Sequence, residues 1–275
     1  VGRIDVRPFE AKAPQAGAER LSDFGTLVSI MARLRGPSGC PWDRQQTHAS
    51  LRPNMLEECY EVLEALDEAN ISKLPEELGD LLMQIVFHAQ MASERGEFQM
   101  GDVLRNINAK LLRRHPHIFG QTSVSTADEV AINWEEIKRT ERGDTGSLLS
   151  GIPRELPTLA ASQSIQRRVA QVGFDWKKLD DVLDKLAEEV GELARAKTPQ
   201  QQEEEMGDVL FSLANVGRWL KVDMEAALRR ANRRFSRRFA YMEELCRQRG
   251  QGLSDLSLDQ QNSLWEKAKR ALAEE

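Results

Sequence analysis

The sequence is poor in the residues and segments that mark several common protein classes. Aromatic residues make up only 6% of its 275 residues, and alternating polar and apolar segments of the kind found in β-strands are scarce. It has no run of about 18 apolar residues, so it predicts neither a membrane-spanning helix nor a membrane partner. Its three cysteines, Cys40, Cys59 and Cys246, are an odd number without metal-site spacing. We therefore expect reduced thiols and a cytoplasmic protein.

Positive charge is also in deficit. The 38 Lys and Arg residues are outnumbered by 44 Asp and Glu residues, and the net charge of −6 does not favour a nucleic-acid partner. Hydrophobic residues at 40% and charged residues at 30% suit a soluble, helix-rich globular protein. Residues 1–20 mix charged residues with Pro, Ala and Gly and lack the apolar segment of a signal peptide. We interpret them as a flexible tail.

The chain contains one pattern twice. Glu58 and Glu189 begin two similar acidic segments that lie 131 residues apart. Further pairs follow in the same order at nearly the same offset: Asp80 with Asp208, Asn108 with Asn232, and Trp134 with Trp265. Two tandem copies of one domain are the simplest explanation.

Residues 141–157 are rich in Gly, Ser and Pro and are interpreted as a linker. The sequence thus predicts a first domain at 21–140 and a second at 158–275, after the tail at 1–20. Apolar residues at helical spacing predict an all-α fold. The expected helices cover 21–34, 54–69, a segment that starts near Pro75, 180–196, 201–220, a later Arg-rich segment and a final segment that carries Trp265.

The acidic segments place carboxylates at helical spacing. Residues three apart on a helix share a face, so Glu58 and Glu61 point the same way, as do Glu77 and Asp80. The second copy has the same arrangement in Glu189, Glu192, Glu205 and Asp208. A short break separates the two helices of each copy, which should therefore pack antiparallel. If their faces meet, four carboxylates converge in each copy.

A single motif of this kind is more often a solvated acidic face, but three observations favour a site. The segments after Asp80 and Asp208 are strongly apolar, which predicts buried helices. Gly79 and Gly207 occupy equivalent positions, where glycine costs about 1 kcal/mol relative to alanine in a helix, and we expect close helix approach there. The whole pattern also occurs twice.

Converging carboxylates repel one another unless a cation neutralises them. Oxygen ligands without His or Cys favour Mg²⁺, with Mn²⁺ as the alternative, over Zn²⁺. A ferritin-like di-iron site would require Glu-x-x-His, and no histidine of this chain has a glutamate three residues before it.

Residues 229–238 supply candidate phosphate ligands, with six arginines in ten residues. Arg234 and Arg238 share a helix face, and arginine suits phosphate oxygens through its bidentate fork. The alternative is a solvated basic helix. Asn232 could contact a base or ribose or be ordinary polar surface, and Trp265 could stack on a base or anchor a core. Lys185 and Lys269 could each reach a phosphate or form a surface ion pair.

These motifs together resemble the MazG family of nucleoside triphosphate pyrophosphohydrolases, in its two-domain bacterial form. The similarity extends over nearly the whole chain beyond the tail. Its segments are GCPWDRQQTH (39–48), PEELGDLLMQIVFHAQMA (75–92), RRHPHIFG (113–120), WEEIKR (134–139), VGFDW (172–176) and EEEMGDVLF (203–211).

The resemblance implies four-helix-bundle cores completed by a homodimer, and Mg²⁺-dependent cleavage of nucleoside triphosphates to monophosphate and pyrophosphate. It implies that Glu189, Glu192, Glu205 and Asp208 bind metal, with Glu58, Glu61, Glu77 and Asp80 as their first-domain counterparts. The nucleotide contacts that it implies are Lys185, Arg234, Arg238 and Trp265. Gln201 stands where relatives often carry lysine.

We expect the second domain to hold the main nucleotide site. Its basic helix is denser, whereas the first domain has Lys110, Arg113 and Arg114 followed by Pro116, which should end that helix early. A metal-held water, or one oriented by Glu188 or Glu189, would attack phosphorus. Two alternatives stay open: an all-α dUTPase, dCTPase or phosphoribosyl-ATP pyrophosphohydrolase, and a non-catalytic helical module that senses nucleotides.

Overall fold

All regular secondary structure in the described part of the chain is helical, which confirms the all-α prediction. The computed structural model describes residues 21–120 and 147–272, together with residues 122, 124, 126, 129, 130, 133, 137 and 141. The predicted tail at 1–20 and Trp134 lie outside these residues. The chain divides into two compact units after Glu141, and each is described separately below.

Unit 1 is built around a long helical hairpin. Its helices are α1 (Phe24–Arg35), α2 (Pro41–Gln45), α3 (Arg52–Asp67), α4 (Leu74–Glu94), α5 (Met100–Arg114) and α6 (Pro116–Phe119). Helix α1 begins where the Asp23 side chain accepts a hydrogen bond from the Thr26 amide. Helix α5 ends before Pro116, as predicted.

Unit 2 repeats the hairpin. Its helices are α7 (Thr158–Ala170), α8 (Leu179–Arg195), α9 (Pro199–Trp219), α10 (Met224–Gln248) and α11 (Leu258–Ala271), with a 3₁₀ turn at Leu253–Asp255. A capping box of Thr198 and Gln201, followed by Pro199 in the first turn, starts α9. A second capping box, of Ser257 and Gln260, starts α11.

The two hairpins differ mainly in the turn between their helices. In unit 1 the turn covers residues 68–73 and includes Ala69 at a positive φ of 52°, whereas in unit 2 it covers residues 196–198. Helices α4 and α9 have the same length of 21 residues. The shorter second turn explains why the repeat offset falls from 131 at Glu58 to 128 at Asp80.

The core of unit 1 lies against the C-terminal half of α4. Buried Met31 of α1 and Leu51 pack there on Val86, Phe87 and Met91. A nearly buried arginine joins the surrounding elements: Arg35 donates to both carboxylate oxygens of Glu94, at 2.8 and 2.7 Å, and to the Gln46 carbonyl at 3.3 Å. This ion pair lowers the pKa of Glu94.

Unit 2 joins α7 to α9 and α10 through buried amide side chains. Gln166 Nε2 donates to the Phe211 carbonyl at 2.7 Å, and Gln163 Nε2 donates to the Val222 carbonyl at 2.8 Å. A Cβ atom on Gly217 would lie 2.4 Å from the Met224 sulfur, so a larger residue there would require the Met224 side chain to move. A further core forms between α10 and α11 from Met242, Cys246, Leu264 and Ala268.

Two expectations about the apolar helices are corrected. The buried apolar residues of α4 and α9 lie in their C-terminal halves, but both helices also expose apolar side chains in their first halves and middle turns within each unit. These are Leu78, Leu82 and Ile85 on α4, and Met206, Leu210, Phe211 and Leu213 on α9. No element of the same unit approaches Gly79 or Gly207 closely, because a Cβ atom at either position would meet nothing within 4 Å. Sequence periodicity identifies an apolar face but not what covers it.

The structure bears on the predictions about membrane-spanning helices and cysteines. None of the helices in the described ranges combines the length and the hydrophobicity that a bilayer crossing demands. Cys40, Cys59 and Cys246 are free thiols, as predicted.

Two histidines meet inside unit 1. His48 precedes α3 and His88 lies on α4, and their Nδ1 atoms are 2.7 Å apart with stacked rings. Only one proton can occupy this contact. Burial, and then the neighbouring charge of His48, lower the pKa of His88 from its usual 6.5.

We predict that acidification destabilises unit 1 through this pair. The folded state keeps His88 neutral, whereas the unfolded chain takes up a proton near pH 6.5, so this stability is present above that pH and is lost as the pH falls toward the lowered pKa. Between pH 7.5 and 5 the Tm should fall less for His88→Gln than for the unchanged protein. Each kcal/mol of lost stability corresponds to a decrease in Tm of roughly 2–4 °C. His117→Gln, outside the pair, is the control; equal pH dependence in all three proteins would refute the prediction.

Candidate functional site

The hairpin of unit 2 brings three predicted carboxylates together. Helix α8 supplies Glu189 and Glu192, one turn apart, and α9 supplies Glu205. One carboxylate oxygen from each lies within 4.8 Å of the other two. Glu189 is buried at 6% exposure, and the other two are half-buried. This is an oxygen ligand set suited to a hard divalent cation.

The fourth predicted ligand, Asp208, is exposed and lies outside this group of three. It follows Glu205 by three residues on α9, close enough for its charge to act on that carboxylate. Burial, followed by the charges of Glu192, Glu189 and Asp208, raises the pKa of Glu205. The site therefore carries uncompensated negative charge that a bound cation would relieve.

Unit 1 forms an equivalent cluster from Glu58 of α3 with Glu77 and Asp80 of α4. Glu77 is buried at 3% exposure. Glu61, the fourth predicted residue, lies outside this group of three but shares a hydrogen bond with Glu77. Burial, and then this bond, raise the pKa of Glu61. All four predicted residues of unit 1 thus lie close together.

A lysine neutralises the buried glutamate of each cluster. In unit 2, Lys185 Nζ is 2.9 Å from both Glu188 Oε1 and Glu189 Oε1. In unit 1, Lys73 Nζ is 2.6 Å from Glu77 Oε1. Hydrogen bonds to these glutamates raise the pKa of both lysines. Both clusters therefore contain one ammonium group beside their most buried carboxylate.

The two lysines come from different places in the repeat. At the offset of 131, Lys185 corresponds to Asn54, and at the offset of 128, Lys73 corresponds to Gln201. Sequence reasoning singled out Lys185 but missed Lys73. Its spacing of four residues before Glu77 could have revealed it, since side chains at that spacing meet on a helix.

The predicted nucleotide contacts of α10 and α11 partly assemble. The Arg238 guanidinium lies over the Trp265 ring, 5.8 Å from its centre. The ring of Phe235 is 5.0 Å from that of Trp265 and is 57% exposed. This cluster offers an aromatic surface beside a cation. Asn232 and Arg234 are exposed on the same helix.

Lys269 has a local partner. It forms an ion pair with Glu266, one turn earlier on α11. This contact fits the surface-ion-pair alternative, although an exposed pair of this kind contributes little stability and a stronger anion could replace it.

Comparison with known proteins gives the family of the chain. The model of the MazG nucleotide pyrophosphohydrolase domain matches residues 46–119 and 178–241, which include the hairpin of each unit. A nucleoside triphosphate pyrophosphohydrolase/pyrophosphatase MazG of Thermotoga maritima is 50% identical over 90% of this chain and 95% of its own length. A nucleoside triphosphate pyrophosphohydrolase of Escherichia coli K12 is 45% identical over 91% and 98%, respectively. With one copy of the domain in each half, the chain belongs to the MazG family.

Proposed function

We propose that this protein is a Mg²⁺-dependent nucleoside triphosphate pyrophosphohydrolase with broad base specificity. It would cleave between the α and β phosphates and release a nucleoside monophosphate and pyrophosphate. The main support is the cluster of Glu189, Glu192 and Glu205 between helices α8 and α9. The names of the relatives from Thermotoga maritima and Escherichia coli support the same reaction.

The residues present fit a magnesium site. Three carboxylate oxygens from two helices converge, and Asp208 stands one turn beyond Glu205 as a further ligand. Mg²⁺, with Mn²⁺ as a substitute, prefers such oxygen ligands and commonly keeps waters and substrate phosphates as its remaining partners. When bound, the cation would offset the charge that develops on the phosphate oxygens in the transition state.

The chain's own groups would orient the reactants. Glu188 is exposed beside the cluster and accepts a hydrogen bond from Lys185, so either Glu188 or Glu189 could hold the attacking water. The water oxygen would bond to the α-phosphorus while the bond to the bridging oxygen breaks and pyrophosphate leaves. Lys185, one turn before Glu189, would turn from the carboxylate to a phosphate when the cation takes its place.

The nucleotide would be held by α10 and α11. Arg234 and Arg238 would bind the phosphates through bidentate hydrogen bonds. Trp265 would stack on the base, and Asn232 would contact base or ribose. Lys269 would exchange Glu266 for a phosphate.

We assign the main nucleotide site to the domain at 158–275, after a linker at 141–157. The first domain, at 21–140, repeats the carboxylates in Glu58, Glu61, Glu77 and Asp80. Its basic helix is shorter, since α5 ends at Arg114 whereas α10 continues to Gln248.

We further propose that the protein is a homodimer. Each hairpin exposes an apolar strip that nothing within its unit covers, and the strips recur in both units. On the second hairpin the strip includes Leu183 and Val190 of α8 and Leu210 of α9. A second copy of the hairpin, packed antiparallel, would bury this strip and complete a four-helix bundle. The space around Gly79 and Gly207 suits such a partner.

We predict that turnover depends on the second cluster. Each NTP and dNTP should yield monophosphate and pyrophosphate with Mg²⁺, and Glu189→Gln should lower kcat/KM by at least about 100-fold because it removes a negatively charged ligand from the cation. Separation of the products by anion-exchange chromatography tests this. Glu203→Gln, an exposed carboxylate on α9, is the matched control and should retain activity.

Glu58→Gln distinguishes the two units in the same assay. Retained activity in this variant assigns turnover to unit 2, whereas loss in both variants would mean that the two clusters act together. Diphosphate with orthophosphate as products, or no turnover of any nucleotide, would refute the proposed reaction.

We predict that a charge on the exposed strip breaks the dimer. Leu210→Asp would bury a carboxylate in an apolar interface and should raise the dissociation constant by roughly 100-fold or more. Light scattering after size exclusion should give twice the chain mass for the unchanged protein and a smaller mass for the variant. Leu258→Asp, the same substitution at an exposed leucine of α11, should remain dimeric. A single-chain mass for the unchanged protein would contradict the proposal.

A further inference from the structure

The arginine pair at the end of α5 in unit 1 is bound by a carboxylate of the same unit. Glu141 Oε1 lies 2.6 Å from Arg113 Nε, and Glu141 Oε2 lies 3.2 Å from Arg114 Nε. Arg114 also donates to Glu141 Oε2 through Nη2 and to Oε1 through Nε at 3.3 Å, so it contacts both carboxylate oxygens. One carboxylate thus binds two adjacent guanidinium groups.

This ion pair persists through any ordinary change of pH. The two arginines, Arg114 first and Arg113 second, lower the pKa of Glu141 to about 2. Arginine itself keeps its proton at any physiological pH. Both partners therefore stay charged near neutral pH.

The same pair of arginines in unit 2 has a different surrounding. At the offset of 124 that relates the two asparagines, Arg113 and Arg114 correspond to Arg237 and Arg238. At the offset of 131 that relates the two tryptophans, Glu141 corresponds to Leu272. In the part of the chain that the structure describes, no carboxylate pairs with Arg238, whose guanidinium lies over Trp265 instead.

We propose that Glu141 acts as a specificity-determining residue that occupies Arg114, the unit 1 counterpart of Arg238, together with the adjacent Arg113, and so confines triphosphate binding to unit 2. This inference rests on the proposed function, because it assumes that Arg238 binds phosphate and that Arg114 stands at the same point of the repeat. The carboxylate clusters cannot distinguish the two units, because both units retain them, whereas Glu141 occurs only in unit 1. Unit 1 would keep its cation site while lacking a place for the triphosphate.

The competition follows from the chemistry of the guanidinium group. A phosphate could bind these arginines only by displacing Glu141, because carboxylate and phosphate oxygens accept the same hydrogen bonds; unlike Glu266, which pairs with one lysine, Glu141 is held by two guanidinium groups. A carboxylate attached to the same unit acts at an effective concentration of about millimolar or more. Cellular triphosphate would have to displace it from two arginines at once.

The test counts nucleotide sites on the full chain by calorimetry. The probe is the α,β-methylene analogue of ATP with Mg²⁺, which binds without being cleaved at the scissile bond. The unchanged protein should bind about one analogue per chain and Glu141→Leu, which copies Leu272, about two, because the arginine pair becomes available. Adding Arg113→Ala and Arg114→Ala to Glu141→Leu should return the count to that of the unchanged protein.

Controls separate this effect from a change in folding. Glu97→Leu removes another exposed carboxylate of unit 1 and should leave the count unchanged. Glu141→Gln keeps the shape of the side chain without its charge. It should also add a nucleotide site, with weaker binding than the one added by Glu141→Leu. This variant replaces Glu141→Leu in the test if the leucine variant does not fold. A count of two in the unchanged protein, or an unchanged count in the folded Glu141 variants, would overturn the inference.

Failure of the proposed function gives a different result. A protein that binds the analogue yet releases no pyrophosphate from ATP would contradict the hydrolysis proposal and leave the count of sites as an independent measurement. Normal hydrolysis together with an unchanged count in the Glu141 variants would contradict only the role of Glu141.

Discussion

Repulsion among the carboxylates that cluster between the two helices of each hairpin is the constraint on which both units depend. Each hairpin buries one glutamate almost completely, Glu77 in unit 1 and Glu189 in unit 2, with further carboxylates beside it. A buried carboxylate needs a positively charged partner or it takes up a proton. In both units a lysine meets this requirement, and a lysine is also a partner that a divalent cation could replace. One lysine thus offsets the most buried carboxylate of each cluster, while the neighbouring carboxylates keep their mutual repulsion.

The two units satisfy this requirement with different residues. Lys185 reaches Glu189 from the preceding turn of the same helix, whereas Lys73 reaches Glu77 from the turn between the helices. Because a buried carboxylate requires only that a positive charge lies close to it, a lysine at either position in the repeat can neutralise it. The basic helices differ in a further respect, because a carboxylate binds the arginines in one unit and an aromatic ring packs on Arg238 in the other. One template has thus acquired two distinct electrostatic environments.

Local signals in the sequence were sufficient to predict the long hairpin helices and most of the two carboxylate clusters, but α2, α6 and α7 were not predicted. Capping residues and prolines, such as Thr198 with Pro199, act within a few residues of the helix end that they define. Spacing along one helix and a short turn bring Glu189, Glu192 and Glu205 together for the same reason. The contact of Glu141 with Arg113 spans 28 residues and depends on how separate elements pack, so no local pattern contains it. The exposure of Leu210 likewise depends on what lies beside the helix.

The packing of each unit joins helices that follow one another along the chain. Helices α3 and α4, α8 and α9, and α10 and α11 are neighbours in sequence, whereas α1 packs on α4 within unit 1 and α7 packs on α9 within unit 2. Contacts between nearby segments close short loops at low entropic cost and favour rapid folding. Unit 1 has its own hydrophobic core, formed by residues before Glu141. We therefore expect this half to fold on the ribosome while the second half is still being translated, which would limit mispairing between two hairpins of such similar sequence.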